Sequence, residues 1–253
     1  MNEIALNLSG QIACVTGSAT GIGRATALAL ATAGAKVALN HHRQPELALQ
    51  LEREIRDQGG IAMSFEADVA NAAEVIKMFG EIDTQFGTLD ILVNNAGVLL
   101  EKPFLETTEA DWDRVMSIDL KSVFLCSHAA LTRMAPRGSG CVINIASELA
   151  GLGRERFGVY CAAKAGVIGL TKSLAREFAP AIRINAIAPG PTDTAMLSLD
   201  QMSAEWQKKE LAIPAARAGR PDEIAATVVF LASAHATFFY GQTLSPNGGA
   251  WMP

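Results

Sequence analysis

Ile12-Ala-Cys-Val-Thr16-Gly-Ser-Ala-Thr20-Gly-Ile-Gly23 is an apolar run, then a cluster of small residues with three glycines, and an alanine-rich stretch follows to about residue 33. The apolar run has the length of a buried strand, and the alanine-rich stretch has helix-forming residues. Strand, glycine turn and helix in that order make a phosphate-binding arrangement, because small residues let backbone N–H groups at a helix N-terminus approach an anion. Gly17, Ser18, Thr20, Gly21, Ile22 and Gly23 are therefore candidate anion contacts. The glycine spacing departs from the generic G-x-G-x-x-G, so the turn alone does not decide the ligand.

Outward from this turn the same unit repeats. Strands are expected at 12–16, 35–39, 61–67, 89–93, 141–146, 182–187 and 242–245, and helices at 45–57, 71–86, 108–135, 159–178 and 221–232. Thr108 is a helix-cap candidate, residues 136–140 break the long helical stretch, and Pro221 suits a first helical turn. Alternation of this kind implies right-handed crossovers and a parallel sheet covered on both faces, with ligands past the carboxyl ends of its strands. The excursion 191–221 carries only a short helical piece at 204–211, and loops of that length in a compact domain are usually lids. No linker or repeat divides the chain, which reads as one domain over 1–253 with a substrate-binding lid at about 191–220.

Bulk properties exclude several classes. Hydrophobic residues at 49% and charged residues at 19% allow a sizeable core, and a net charge of -5 offers no cationic field for nucleic acid. No apolar run reaches membrane-spanning length, and residues 1–10 lack a basic signal region, so a cytoplasmic location without membrane association is expected. Cys14, Cys126, Cys141 and Cys161 show no paired metal spacing and read as reduced residues, and the histidines are not grouped as ligands, so no metal is expected.

A second constellation carries chemistry. Tyr160 and Lys164 are four apart on one expected helix, so both side chains leave the same face. A phenol with pKa about 10 is roughly 0.1% ionised at neutral pH, and a nearby ammonium lowers it, which would let Tyr160 move a proton. Ser147 ends the apolar run 141–146, where its hydroxyl can hydrogen-bond a substrate oxygen as charge develops. Taken alone the Tyr-x-x-x-Lys spacing also arises by chance, with Tyr160 packed and Lys164 solvated.

With these motifs in order, the chain resembles the short-chain dehydrogenase/reductase family over nearly its full length. The matching residues are Thr16-Gly-x-x-x-Gly-Ile-Gly23, Asp68-Val69, Asn94-Asn-Ala-Gly97, Ser147, Tyr160-x-x-x-Lys164, Pro189-Gly190 and Asn247-Gly-Gly249. The resemblance implies an α/β fold, a single-domain Rossmann architecture whose doubly wound, seven-stranded parallel sheet has the order 3-2-1-4-5-6-7. It also implies hydride transfer between a nicotinamide and a carbonyl or secondary alcohol. Tyr160 would be the acid or base, Ser147 would hold the substrate oxygen, and Lys164 would lower the Tyr160 pKa and bind the nicotinamide ribose. Asp68 and Val69 would meet the adenine, Asn95, Ala96 and Gly97 would wall the cleft, and Pro189, Gly190, Thr192 and Thr194 would meet the nicotinamide end. Where the family carries an asparagine that extends the proton path, this chain has Asp119.

The stretch Asn40-His41-His42-Arg43-Gln44 has no acid to bond a ribose 2′-hydroxyl, so NADP is favoured over NAD, with His41 and Arg43 as the candidate contacts. Thr20 stands where many NADP-dependent relatives carry a second basic residue, and NAD stays the alternative. Residues 98–100, 148–149, 154–157 and the lid are mostly apolar and suggest a hydrophobic carbonyl substrate. The segment 212–224 looks like the 3-oxoacyl-carrier-protein reductase branch, yet Ala179-Pro180-Ala181 lacks the basic turn expected for docking an acidic carrier. A small-molecule oxidoreductase is the main reading, a carrier-protein reductase the second, and a non-catalytic dinucleotide sensor the reading of another class. Family resemblance implies a homotetramer or homodimer, with the aromatics at 238–240 and 251–253 consistent with a buried C-terminal edge.

Overall fold

A computed structural model describes residues 6–252; the first half of the 1–10 reading and Pro253 lie outside the described residues. Strands β1 (Ile12–Val15), β2 (Lys36–His41), β3 (Ile61–Glu66), β4 (Ile91–Asn94), β5 (Gly140–Ile145), β6 (Ile182–Ile187) and β7 (Thr243–Leu244) pair in parallel in the order β3-β2-β1-β4-β5-β6-β7. The expected architecture is thereby found, because each crossover between neighbouring parallel strands is a helix laid on one face of the sheet.

Period-two alternation distributes the core. Ala13 and Val15 join Val37, Leu39, Ile91 and Val93 on the face covered by α1 (Gly21–Thr32), α2 (Pro45–Asp57) and the later helix Pro221–Ala232. Ile12 and Cys14 point the other way with Ala38 and Leu92, under α3 (Ala72–Phe86) and the helices Ser122–Met134 and Gly158–Phe178. A strand buried on both faces has no polar side to reveal, which is why these runs read as continuously apolar. Cys14, Cys126 and Cys141 are buried free thiols, and burial pushes the Cys14 thiol up to about 12. No helix among the described residues is long and apolar enough to cross a membrane.

The expected helix 108–135 is interrupted. Thr108 caps α4 (Glu109–Met116) in a reciprocal capping box with Asp111, then Ser117–Lys121 widens into a π-helical turn before α5 (Ser122–Met134). The wider turn carries Asp119, whose side chain is 0% exposed. Farther on come α6 (Leu149–Leu152), α7 (Gly158–Phe178), α8 (Ala204–Glu210) and α9 (Pro221–Ala232). Asn71 caps α3, accepting from the Ala73 and Glu74 N–H groups.

Part of the C-terminal region packs against the rest of the same chain. The Phe239 ring meets Phe230 edge-on at 5.3 Å, the Tyr240 hydroxyl donates to the Pro180 carbonyl, and Trp251 lies so close to Gly151 that a Cβ there would be 2.2 Å from its ring. Phe238 and Met252 remain exposed.

Candidate active site

Past the carboxyl ends of the strands lies a cavity of about 750 Å³. Its wall is drawn from the segments that follow β1, β2, β3, β4, β5 and β6, and from the excursion around α8.

The end nearest β1 is made mainly of backbone. Gly17 holds φ +60, and a Cβ on it would lie 2.9 Å from the Ala96 Cα, so only glycine fits the turn. Gly23 packs inward: its Cβ would stand 2.3 Å from the Gly17 carbonyl oxygen. Asn40, buried at the end of β2, accepts the Gly17 N–H at 3.1 Å and donates to the Ala67 carbonyl at 3.1 Å. The Asn95 amide donates to the carbonyls of Thr16 and Gly17, and the Thr16 hydroxyl accepts the Asn95 and Ala96 N–H groups. The turn is thereby tied to β2 and β4 before any ligand arrives.

Most expected cofactor contacts lie on this cavity: Gly17, Thr20, Gly21, Ile22, Asp68, Val69, Asn95, Ala96, Gly97, Tyr160, Lys164, Pro189, Gly190, Thr192 and Thr194. Four do not. Ser18 is buried with its hydroxyl on the Asn40 carbonyl, and Gly23 supports Gly17 from behind. His41 is buried at the end of β2, where burial holds its imidazole below the usual pKa against the nearby Glu66 carboxylate. Arg43 has φ +54 and points its backbone N–H at Glu66 Oε1. β2 ends at His41 and the chain turns at Arg43, so it is His42, with Gln44, that lines the cavity. Asn40 and His42 lay within the quoted stretch, but side-chain direction there depends on where β2 ends.

Ser147, Tyr160 and Lys164 converge at the centre. Ser147 is 7% exposed, Tyr160 8% and Lys164 4%, and all three line the cavity. Lys164 Nζ donates to the Ile145 carbonyl at 3.1 Å and lies 3.4 Å from Asp119 Oδ2. Asp119 Oδ1 accepts the Val98 N–H at 2.8 Å. A Cβ on Gly97 would sit 3.3 Å from both Lys164 Nζ and Asp119 Oδ2, so the cleft wall is glycine where the ion pair comes closest.

Burial dominates the electrostatics here. It pushes the Tyr160 phenol above its ordinary pKa; the Lys164 ammonium and the Ser147 side chain pull it down, and Asp119 pushes it up again. Lys164 therefore acts in the expected direction on Tyr160, but does not prevail over desolvation. Burial also works against the charge on Lys164, yet the Asp119 carboxylate and the phenol hold its pKa above the usual lysine value. Asp119 itself is raised by burial against the pull of Lys164 and the Val98 N–H.

The far end differs from the hydrophobic pocket expected. Val98, Leu149, Phe157, Met196, Leu197, Met202 and Trp206 do line it, but so do Glu101, Glu148, Arg154 and Glu210. Leu100, Leu199, Glu155 and Arg156 are outside the lining. Arg154 Nη1 is 2.6 Å from Glu210 Oε1, and its guanidinium lies 5.5 Å from the centres of the Phe157 and Trp206 rings. Glu210 had no motif to mark it: it reaches the cavity only because α8 folds over it.

The donors present fit a dinucleotide. Glycine turn, helix N-terminus and the strand ends form one continuous cavity, and Gly17 and Gly21 both have positive φ where backbone must approach an anion.

Comparison with known proteins agrees with this geometry. The family model described as Enoyl-(Acyl carrier protein) reductase matches residues 17–250. The chain is 43% identical over 242 residues to the 3-oxoacyl-[acyl-carrier-protein] reductase of Staphylococcus aureus, covering 95% of this chain and 98% of that one. With its counterpart from Synechocystis sp. the identity is 41% over 247 residues, covering 97% and 98%. Among solved structures, a dehydrogenase/reductase from Sinorhizobium meliloti superposes with TM-score 0.93 at 38% identity, covering 98% of each chain. A protein from Beutenbergia cavernae, provisionally assigned as an NAD(P)-dependent gluconate 5-dehydrogenase and holding NADP at low occupancy, gives TM-score 0.91 at 34% identity, covering 96% and 98%.

Proposed function

This chain belongs to the short-chain dehydrogenase/reductase family, and we propose that it moves a hydride between NADP(H) and a carbonyl or secondary-alcohol carbon through Ser147, Tyr160 and Lys164. The observation that carries this reading is the convergence of those three buried side chains on the same cavity as the glycine turn. When bound, the nicotinamide supplies or takes up the hydride. Thr20, Gly21 and Ile22 hold the phosphates by backbone N–H groups, with Gly17 shaping the turn, while Asp68, Val69 and Asn95 to Gly97 flank the nucleotide. At the end of β2 there is no acid to claim a ribose 2′-hydroxyl, and His42 and Gln44 line that mouth, which accommodates NADP.

The chain's own residues handle the substrate oxygen and its proton. Ser147 hydrogen-bonds the oxygen as negative charge grows on it. Tyr160 gives that oxygen a proton in reduction and takes it back in oxidation. Lys164, held on the Ile145 carbonyl, places a positive charge that eases ionisation of the phenol, and Asp119 keeps Lys164 charged while opposing that effect on Tyr160. Segment 191–220, with Met196, Leu197, Met202 and Trp206 on the cavity, closes over the substrate and excludes water.

A 3-oxoacyl-carrier-protein reductase is the second reading, favoured by the relatives at 43% and 41% identity. Against it stands the turn Ala179-Pro180-Ala181, which offers an acidic carrier no cation. A non-catalytic sensor would not need Ser147, Tyr160 and Lys164 together. A shallow groove of about 670 Å³ between α4, α5 and α7, lined by Met116, Leu120, Phe124 and Leu170, suits a second copy of the chain in a homotetramer or homodimer. The test of function is fluorescence titration with NADPH and NADH, then turnover on ketones, 3-oxoacyl thioesters and sugars, with Tyr160→Phe as control. NADPH bound more tightly and turnover lost in Tyr160→Phe is the expected result; turnover that survives the substitution overturns the proposed roles.

A further inference from the structure

Of the ionisable side chains that line the far end of the cavity, Glu101 is exposed and paired with Arg156; the three more buried ones, Glu148, Arg154 and Glu210, have no part in the proton path. Glu148 follows Ser147 directly, is 6% exposed, and has an Oε2 without a hydrogen-bond partner among the described residues. Glu210 is 7% exposed and paired with Arg154, whose guanidinium is also stacked near Phe157 and Trp206. Arg154 is thus already engaged on several sides, while the Glu148 oxygen is not.

A buried carboxylate oxygen without a donor is costly, and in a cavity that cost is relieved by a ligand that brings one. An apolar acyl chain would leave the oxygen unsatisfied. An anion would meet two carboxylates against one guanidinium that is already paired. A cation at Glu148 would sit near the Arg154 guanidinium, whose positive charge already acts on that carboxylate. A neutral hydroxyl satisfies Glu148 without any of these penalties.

Resting on the oxidoreductase reading for where the reacting carbon sits, we infer that the substrate carries a free hydroxyl close to that carbon and that Glu148 accepts its hydrogen bond. The substrate class is therefore a vicinal diol or an α-hydroxy carbonyl compound rather than a plain ketone or fatty acyl group. A site built to bond a hydroxyl discriminates strongly against the analogue that lacks it, because the buried polar group is then left unpaired.

The test compares cyclohexanol with 1,2-cyclohexanediol, 2-aminocyclohexanol and 2-hydroxycyclohexanecarboxylate as NADP-dependent oxidation substrates. A hydrogen bond to an ionised group corresponds to about 10- to 100-fold in kcat/KM, so the diol is expected to exceed cyclohexanol by that ratio. Glu148→Gln, nearly identical in shape, should bring the ratio down about 10-fold. In the wild-type enzyme the ratio should rise as pH passes about 7, where Glu148 ionises, its pKa held up by burial and the Glu210 carboxylate against the pull of Arg154, and it should be flat in Glu148→Gln. A ratio near one, or preference for the amine or the carboxylate, overturns the inference. Affinities read from Trp206 fluorescence, with Trp206→Phe as blank, give the same ratios without turnover. Diol preference without oxidation would sink the hydride-transfer reading and keep the hydroxyl site, whereas oxidation without diol preference would do the reverse.

Discussion

At the end of the cavity nearest β1, the wall is mainly backbone, with His42, Gln44 and Asp68 beside it, and the turn is held by paired groups: Asn40 on Gly17, and Asn95 on Thr16 and Gly17. At the other end the wall is charged side chains delivered by separate segments, Glu148 after β5, Arg154 before α7 and Glu210 at the close of α8, with one carboxylate oxygen unpaired. The first end is preorganised for a ligand whose phosphates never vary. The second keeps an uncompensated group, and that group selects what enters. Lys164 and Asp119 stand between the two.

The largest effect is expected where the ends meet. Lys164→Met leaves Asp119 buried without its cation, which costs about 3–5 kcal/mol, and removes the charge beside Tyr160, lowering turnover by at least about 100-fold. Adding Asp119→Asn should recover most of the stability in urea denaturation without recovering turnover. Equal loss of stability in the single and double variants would show that the pair is not the reason Lys164 matters to the fold.

Gly23→Ala probes the backbone end. Its Cβ would sit 2.5 Å from Asn95 Nδ2 as well as on the Gly17 carbonyl, so the turn must shift. Overpacking of this kind costs about 1–3 kcal/mol, and NADPH should bind at least about 10-fold more weakly, about 1.4 kcal/mol. Unchanged NADPH affinity in a fluorescence titration would mean that the turn is not the phosphate cradle.

Glu148→Gln probes the charged end through stability. Burial first, then the Glu210 carboxylate, raise the Glu148 pKa from 4.5 to about 7 against the pull of Arg154. The folded state then holds this proton more tightly than the unfolded chain, so the stability it contributes is complete below about pH 4.5 and lost as pH rises through about 7. The glutamine variant should be the more stable by about 1–3 kcal/mol above that range, and equal to wild type in acid. Thermal melts from pH 4 to 9 decide it, and a pH-independent difference would contradict the raised pKa.

The smallest effect belongs to Asp119→Asn, measured on activity. Removing a charge that raises the Tyr160 pKa should move the rising limb of the oxidation profile toward acid. A midpoint that stays in place would separate Asp119 from the proton path and leave it a partner of Lys164 only.

The strand–turn–helix units, the parallel sheet, the glycine turn and the positions of Ser147, Tyr160 and Lys164 were legible in the chain itself. Each is written at short range: a glycine where backbone must bend or approach, alternation that a buried strand imposes, a four-residue step between side chains on one helix face. Tertiary structure decided which residues after β2 face the cavity, His42 and Gln44 rather than His41 and Arg43, because where the strand stops and how the chain turns there depend on its pairing in the sheet. It also opened the helix 108–135 into the π-turn that buries Asp119 on Lys164. Finally it brought Glu210 across from α8 to Arg154, beside Glu148, a contact between residues far apart in sequence that no local pattern records, since only the folding of the excursion over the strand ends puts those charges in one low-dielectric space.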